Sequence, residues 1–138
     1  MKNVTRAIMP PGGSEIICSF EGGLGFINIA ELKMNVQIVP IKRAISKRLV
    51  RLLATNKHLI ACYHKTLLVV CLESQSVLLS EQMTLIHDCV LLDANTLAVS
   101  CKAGDQQVVV TFSMSTLSPT SVLVLPTASK LLVPLLAR

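Results

Sequence analysis

The hydrophobic residues of this sequence fall into short runs that are rich in Val and Ile, and turn-forming residues separate one run from the next. This spacing, about six to ten residues, is typical of β-strands rather than of helices. A Leu-rich helical bundle is the competing interpretation, but the turn signals leave no room for helices of about ten or more residues. The pattern predicts twelve strands, at 4–9, 15–20, 25–32, 36–41, 49–55, 58–64, 66–73, 77–82, 84–92, 96–103, 107–114 and 121–125.

Three segments of the chain repeat one pattern, in which an apolar strand follows a turn. Ile16, Leu59 and Leu97 occupy equivalent positions in these segments, and the steps between them are 43 and 38 residues. A second apolar strand and then a third follow each segment. With the strand that precedes each segment, the twelve strands become three sets of four, and the step is close to the roughly 40–45 residues of a four-stranded propeller blade.

The order of turns and strands in each set resembles the repeats of the WD-repeat β-propellers. The stretch 87–100 is similar to the opening of such a repeat, in which a His, here His87, precedes the first strand and an Asp-containing turn, here at Asp93, precedes the second. No Trp-Asp dipeptide ends a third strand, and no Gly-His dipeptide precedes a first strand. The resemblance therefore implies a divergent member and an all-β fold: three four-stranded antiparallel blades of a partial β-propeller.

The predicted blades cover approximately residues 1–41, 49–82 and 83–126 of a single domain. Residues 127–138 echo 47–55 and predict the first strand of a further blade. Closed propellers have about four to eight blades, so three blades cannot close a ring. We therefore expect that the chain is part of a longer propeller or that a second chain completes the ring.

An antiparallel β-sandwich is the alternative fold. Each strand of a sandwich has one face in water, so its apolar and polar residues alternate. In a propeller, neighbouring blades cover both faces of each sheet, and the inner strands can be apolar throughout. The run 67–72 is apolar throughout, whereas Val36, Gln37 and Ile38 alternate as an outermost strand should. The pattern favours the propeller.

Composition excludes disorder, because 51% of the residues are hydrophobic and 15% are charged. The five cysteines are odd in number and form no C-x-x-C pair, which fits neither a disulfide framework nor a zinc module and indicates a reducing compartment. The chain begins with no apolar signal segment, and no apolar run approaches the roughly 18–20 residues of a membrane helix. We expect an intracellular protein, cytoplasmic or nuclear, that is not secreted and has no transmembrane segment.

No constellation of residues predicts catalysis, a metal site or a cofactor. His87 and Cys89 are expected on one face of a strand, with Asp88 turned away and unable to orient the imidazole. His58 and His64 lie six residues apart on one strand, too far to share a metal ion. A strand rather than a helix follows the glycines at 22–25, which predicts a hairpin turn instead of a phosphate loop.

A cluster of cations between the first two predicted blades is the feature that stands out for binding. This basic linker, residues 42–51, carries five cations that could meet an acidic protein, a phosphoinositide-bearing membrane or the phosphates of a nucleic acid. The alternative is a solvated loop that keeps an apolar protein soluble. The candidate binding residues are Lys42, Arg43, Lys47, Arg48 and Arg51.

These observations predict a non-catalytic protein–protein interaction scaffold, part of a larger propeller or of a multi-subunit complex. Its partners would be proteins, including an acidic surface steered by the basic linker. One rival is a phosphoinositide- or nucleic-acid-binding module that uses the same linker. The other is a cysteine-dependent enzyme, which requires one thiol among Cys62, Cys89 and Cys101 to be far more reactive than the others.

Overall fold

The computed structural model describes residues 3–13, 15–29 and 36–126. These residues form three four-stranded antiparallel sheets and one short helix. Sheet 1 contains β1 (Arg6–Ile8), β2 (Glu15–Phe20), β3 (Gly23–Asn28) and β4 (Val36–Pro40). Helix α1 (Arg43–Ser46) leads to sheet 2, which contains β5 (Leu49–Ala54), β6 (His58–Tyr63), β7 (Thr66–Cys71) and β8 (Val77–Gln82). Sheet 3 contains β9 (Ile86–Asp93), β10 (Thr96–Ala103), β11 (Gln106–Ser113) and β12 (Ser118–Val124).

The predicted strands are confirmed, with shifted ends at several of them. The first is shorter than predicted because only Arg6–Ile8 pair with β2, and the last begins earlier, at Ser118. Helix α1 was not predicted, since four residues are too few to show a helical period. The strand predicted within 127–138 lies outside the described residues.

Each sheet follows the chain in simple order, so that each strand pairs with the next one along the sequence. The first strands of the sheets meet one another, because β5 contacts both β1 and β9. Strands β4, β8 and β12 are the last of each sheet. The sheets therefore radiate from a shared axis, with β1, β5 and β9 innermost, as in a propeller. Two sheets packed face to face would not bring their first strands together in this way, so the sandwich alternative is wrong.

Sheet 2 is covered on both faces, and this explains why its inner strands are apolar throughout. Along β6, Leu59, Ala61 and Tyr63 pack in one hydrophobic cluster with sheet 1, whereas Ile60 and Cys62 pack in a second cluster with sheet 3. All five side chains are fully buried. Successive side chains of a strand point to opposite faces, so two buried faces require an unbroken apolar run.

The outermost strands are polar or exposed, as the alternating pattern predicted. All seven residues of β12 are exposed, and Val122 reaches 62% exposure. Within β4, Val39 is buried against the cluster shared with sheet 2, whereas Ile38 is 52% exposed. Strand position within a sheet, rather than residue type alone, decides burial.

Candidate basic binding surface

The basic linker is an ordered segment: its first half forms helix α1, and its last three residues belong to β5. The carbonyl oxygen of Lys42 accepts hydrogen bonds from the backbone N–H groups of Ile45 and Ser46, at 2.9 and 3.0 Å. The Ser46 side chain is buried, and its Oγ accepts a 2.8 Å hydrogen bond from the N–H of Gly22 in the β2–β3 turn. Gly22 has a φ of +111°, which a residue with a Cβ rarely adopts. The linker is thereby attached to sheet 1.

The linker is also attached to sheet 2. The backbone N–H of His64, which follows β6, donates a 3.0 Å hydrogen bond to the carbonyl oxygen of Arg48. On the other side, the N–H of Ile41 donates to the carbonyl oxygen of Gly22 at 2.9 Å. Because both ends of the linker are hydrogen-bonded to hairpin turns, its cations project from a defined backbone rather than from a loose loop.

Two of the five predicted binding residues are engaged in ion pairs. The guanidinium of Arg43 lies 3.1 Å from a carboxylate oxygen of Glu21, and the Arg43 side chain remains 74% exposed. Arg51 lies on β5, and its Nε donates a 3.0 Å hydrogen bond to Oδ1 of Asp88 on β9. Since Asp88 belongs to sheet 3, the Arg51–Asp88 pair connects two sheets near the propeller axis.

The other three predicted residues are exposed cations. Lys42, Lys47 and Arg48 are all exposed, and no carboxylate among the described residues lies within ion-pair distance of them. A charged side chain that is exposed and unpaired remains available to a partner. Within the basic linker, the positive charges that are available to a partner are therefore those of these three residues.

Antiparallel pairing places further cations beside the basic linker. In a sheet of antiparallel strands that follow one another in sequence, every second connection lies at the same end of the sheet. The linker joins β4 to β5, so it shares its end of the propeller with four turns: β2–β3, β6–β7, β8–β9 and β10–β11. We call this the linker end. Lys65 lies in the β6–β7 turn, and the N–H of Lys102 donates a 3.0 Å hydrogen bond to the carbonyl oxygen of Thr84 in the β8–β9 turn. Sequence reasoning missed both lysines, because each is a single cation outside the basic linker, Lys65 in a turn and Lys102 near the end of β10.

The titration of His64 reflects this accumulation of charge. Burial lowers the pKa of His64, and the positive charges of Arg48 and Lys65 lower it further. Like charges disfavour the protonated imidazole only over short distances. Arg48 and Lys65 thus flank the His64 imidazole, although they come from two different connections.

Asp88, which lies between His87 and Cys89 in the sequence, pairs with Arg51 of sheet 2. The Asp88 carboxylate binds Arg51 and also accepts a hydrogen bond from the N–H of Cys89 at 2.9 Å. A hydrogen bond with Cys89, together with burial, raises the pKa of the Cys62 thiol far above its ordinary value. A thiol held in its neutral form is a poor nucleophile, so this arrangement does not favour the rival of a cysteine-dependent enzyme.

Cys71 is the thiol that we expect to react first. The side chain and backbone of Ser74 hydrogen-bond to Cys71 and lower its pKa, whereas burial raises the pKa of Cys101. Cys18, Cys62, Cys89 and Cys101 are buried, and Cys71 is partly exposed. Iodoacetamide at neutral pH should modify Cys71 at least about tenfold faster than the other four, as peptide mass spectrometry would show.

The matched variant for this experiment is Cys71→Ser, which should leave only slow labelling in the folded chain. In urea, all remaining thiols should be modified at similar rates, because unfolding exposes the thiols that are buried in the folded chain. Rapid modification of Cys62, Cys89 or Cys101 in the folded protein would contradict the expectation and revive the enzyme interpretation.

Within the described ranges, no group of three or more His, Cys, Asp or Glu side chains could hold a metal ion. His58 begins β6 and His64 follows its end, so the two imidazoles belong to opposite ends of sheet 2. No helix in the same part of the chain is long and apolar enough to cross a membrane.

The three radiating four-stranded sheets define the class of fold: the chain is a partial β-propeller with four-stranded antiparallel blades. Solved propellers have the same fold. The N-terminal domain of Nup159 superposes with a TM-score of 0.62 at 15% identity, over 91% of this chain and 32% of that one. Hsv2 of Kluyveromyces lactis superposes with a TM-score of 0.56 at 12% identity, over 88% of this chain and 37% of that one.

The propeller domain of Cps50 (Swd1) from Myceliophteria thermophila gives a TM-score of 0.54 at 16% identity, over 80% of this chain and 40% of that one. The chain thus spans about a third to two fifths of the length of the solved propellers that it matches. No protein-family model matches the sequence, and no curated protein matches it. At these identities the similarity shows the fold alone.

Proposed function

We propose that this chain is a non-catalytic interaction scaffold that binds an acidic surface of a protein partner with its linker end. The observation that carries the proposal is the excess of cations at one end of the propeller. Lys42, Lys47, Arg48 and Lys65 lie in connections at the linker end, and Lys102 lies near the same end of β10. These cations and Arg43 outnumber the described carboxylates at this end, which are Glu21, Glu81 and Asp105. Clustered charge of one sign raises the association rate of an oppositely charged partner and helps to fix its orientation.

The opposite end of the propeller differs in charge. Its described connections include Lys57 in the β5–β6 turn, Glu73 in the β7–β8 turn and Asp93 at the end of β9. The carboxylates named here outnumber the lysine, so this end lacks the excess of cations that the linker end has. Its lysine therefore provides an internal control for the charge of the linker end.

The proposal includes a larger assembly. Among the described sheets, only sheet 2 has a neighbour on both faces. We propose that further blades, from the same protein or from a second chain, flank sheets 1 and 3 and complete the ring. Such an arrangement would present the linker end as one face of a closed propeller, which is a rigid platform for a protein partner.

The test is binding of a fluorescein-labelled, Glu- and Asp-rich peptide to the purified full chain, followed by fluorescence anisotropy. The variant Lys42→Ala/Lys47→Ala should weaken binding by about two- to tenfold, the range expected when two exposed ion pairs are lost. Lys57→Ala at the opposite end should bind as the unchanged chain does. Binding should also weaken as salt is raised, because exposed charges are screened.

Anionic phospholipid vesicles and single-stranded RNA serve as the competing ligands in the same assay. If either binds through Lys42 and Lys47 while the acidic peptide does not bind, the scaffold proposal is wrong and the lipid or nucleic-acid interpretation replaces it. Equal binding of the peptide by the unchanged chain and by both variants would also contradict the proposal.

A further inference from the structure

A cavity of about 260 Å³ lies at the linker end between helix α1 and the β6–β7 turn. Ile45 of α1 lines one side, His64 and Lys65 of the turn line another, and Gln82 and Met83 line the third. Pockets for drug-sized ligands range from about 300 to 1,000 Å³, so this cavity suits a single side chain better than a cofactor. Its walls combine apolar groups with a cation, an imidazole and an amide.

The cavity is positively charged. Lys65 is exposed on its wall, and exposed Arg48 is joined to the wall by the 3.0 Å hydrogen bond from the N–H of His64 to the Arg48 carbonyl oxygen. The charges of Arg48 and Lys65 both lower the pKa of His64. The described ion pairs lie elsewhere, and Glu81 on β8 forms none with Arg48 or Lys65. Without a carboxylate of its own, the cluster is electrostatically suited to an anion.

Hydrogen bonds hold the cavity wall in one conformation. The carbonyl oxygen of Lys65 accepts a 2.9 Å hydrogen bond from the N–H of Met83, and that of His64 accepts one of 2.6 Å from the N–H of Ile86. The backbone N–H of His64 donates a hydrogen bond to the carbonyl oxygen of Arg48 in the basic linker. The β6–β7 turn is therefore fixed from three directions, and a preorganised site loses little conformational entropy when a ligand binds.

We propose that this cavity binds one anionic side chain of an acidic peptide, with Arg48 and Lys65 contacting the anionic group. Gln82 is exposed on the cavity wall and supplies an amide N–H donor. A carboxylate and a phosphoryl group share the required charge and acceptor oxygens. The inference rests on the proposed function, because the linker end that meets the partner contains the cavity, and it names the point of contact.

The first experiment compares three labelled peptides of one acidic sequence that carry Glu, phosphoserine or Ser at a single position. The full chain should bind the Glu or phosphoserine peptide about tenfold more tightly than the Ser peptide, the range expected for a charge-assisted contact. The stronger of the two identifies the anion. Arg48→Gln/Lys65→Gln should abolish this preference, whereas Lys42→Gln/Lys47→Gln should weaken all three peptides and preserve it.

The second experiment is independent of any peptide. Inorganic phosphate is titrated into the full chain while the His64 imidazole is followed by NMR. Phosphate beside Arg48 and Lys65 offsets their repulsion, so the pKa of His64 should rise in the unchanged chain and stay constant in Arg48→Gln/Lys65→Gln. His58, at the opposite end of sheet 2, is the control resonance.

The outcomes separate the two proposals. If no acidic peptide binds but phosphate raises the His64 pKa through Arg48 and Lys65, the proposed function fails and the anion site stands. Acidic peptides could instead bind through Lys42 and Lys47 with equal affinity whichever residue stands at the varied position, while phosphate leaves the His64 pKa unchanged. In that case the proposed function stands, and the cavity is not the point of contact. A His64 response that persists in the double variant also overturns the anion site.

Discussion

Replacing Arg51 with Ala is expected to lower the free energy of unfolding by about 2–4 kcal/mol, because it leaves a buried carboxylate without its counter-charge. The Asp88 side chain is only 9% exposed, and the Arg51 guanidinium contacts both of its oxygens, at 3.0 and 3.1 Å. The Arg51 side chain is 48% exposed, so water can reach the vacated space and the loss should fall below that of a fully buried pair. Urea unfolding followed by circular dichroism would measure the change.

The matched control for this change is Arg43→Ala. Arg43 also pairs with a carboxylate, that of Glu21, but its side chain is 74% exposed. Exposed ion pairs contribute about 0–1 kcal/mol, so this variant should unfold close to the unchanged chain. Adding Asp88→Asn to Arg51→Ala should restore part of the lost stability, since the unpaired charge is then removed. If Arg51→Ala costs no more than Arg43→Ala, the Arg51–Asp88 pair does not hold sheets 2 and 3 together.

Arg51 also shows where sequence reasoning reaches its limit. In the sequence it is the last of five clustered cations, and clustering suggested a common binding role. Its partner Asp88 is 37 residues away, in the next sheet. Only the packing of β5 beside β9 brings the two side chains together, and no local pattern reports that contact.

The fold was predictable because the burial of its strands depends mainly on local patterns of apolar and polar residues. A strand buried on both faces needs an unbroken apolar run, and residues 67–71 of β7 form one. The recurrence of Ile16, Leu59 and Leu97 then set the number of sheets. One signal could have located Lys65 from sequence: in a meander of antiparallel strands, every second turn lies at the same end. Applied to the twelve predicted strands, this rule places the β6–β7 turn beside the basic linker.

Tyr63 should make the folded chain less stable at alkaline pH. It is fully buried between sheets 1 and 2, and burial raises its pKa from 10.0 to about 12, with the neighbouring Ser19 hydroxyl offsetting part of the effect. Because the folded pKa lies above the unfolded one, the stabilisation is fully present below pH 10 and is lost as the pH rises towards 12. The difference of two pKa units corresponds to about 3 kcal/mol.

The sequence offers a clean measurement, since Tyr63 is the single tyrosine and there is no tryptophan. Tyrosinate absorbance should appear near pH 10 in urea and at a clearly higher pH in the folded chain. Tyr63→Phe should unfold within about 1 kcal/mol of the unchanged chain at neutral pH, because neither the Tyr63 nor the Ser19 hydroxyl makes a regular hydrogen bond.

Tyr63→Phe should also lose stability more slowly than the unchanged chain above pH 10. The Cys62 and Cys101 thiols, whose pKa values are raised as well, titrate in both proteins, so the difference between the two unfolding curves isolates the phenol. A tyrosinate transition at the same pH with and without urea, while the circular dichroism of the strands persists, would mean that Tyr63 reaches solvent. In that case sheets 1 and 2 could not pack as closely as the shared hydrophobic cluster requires.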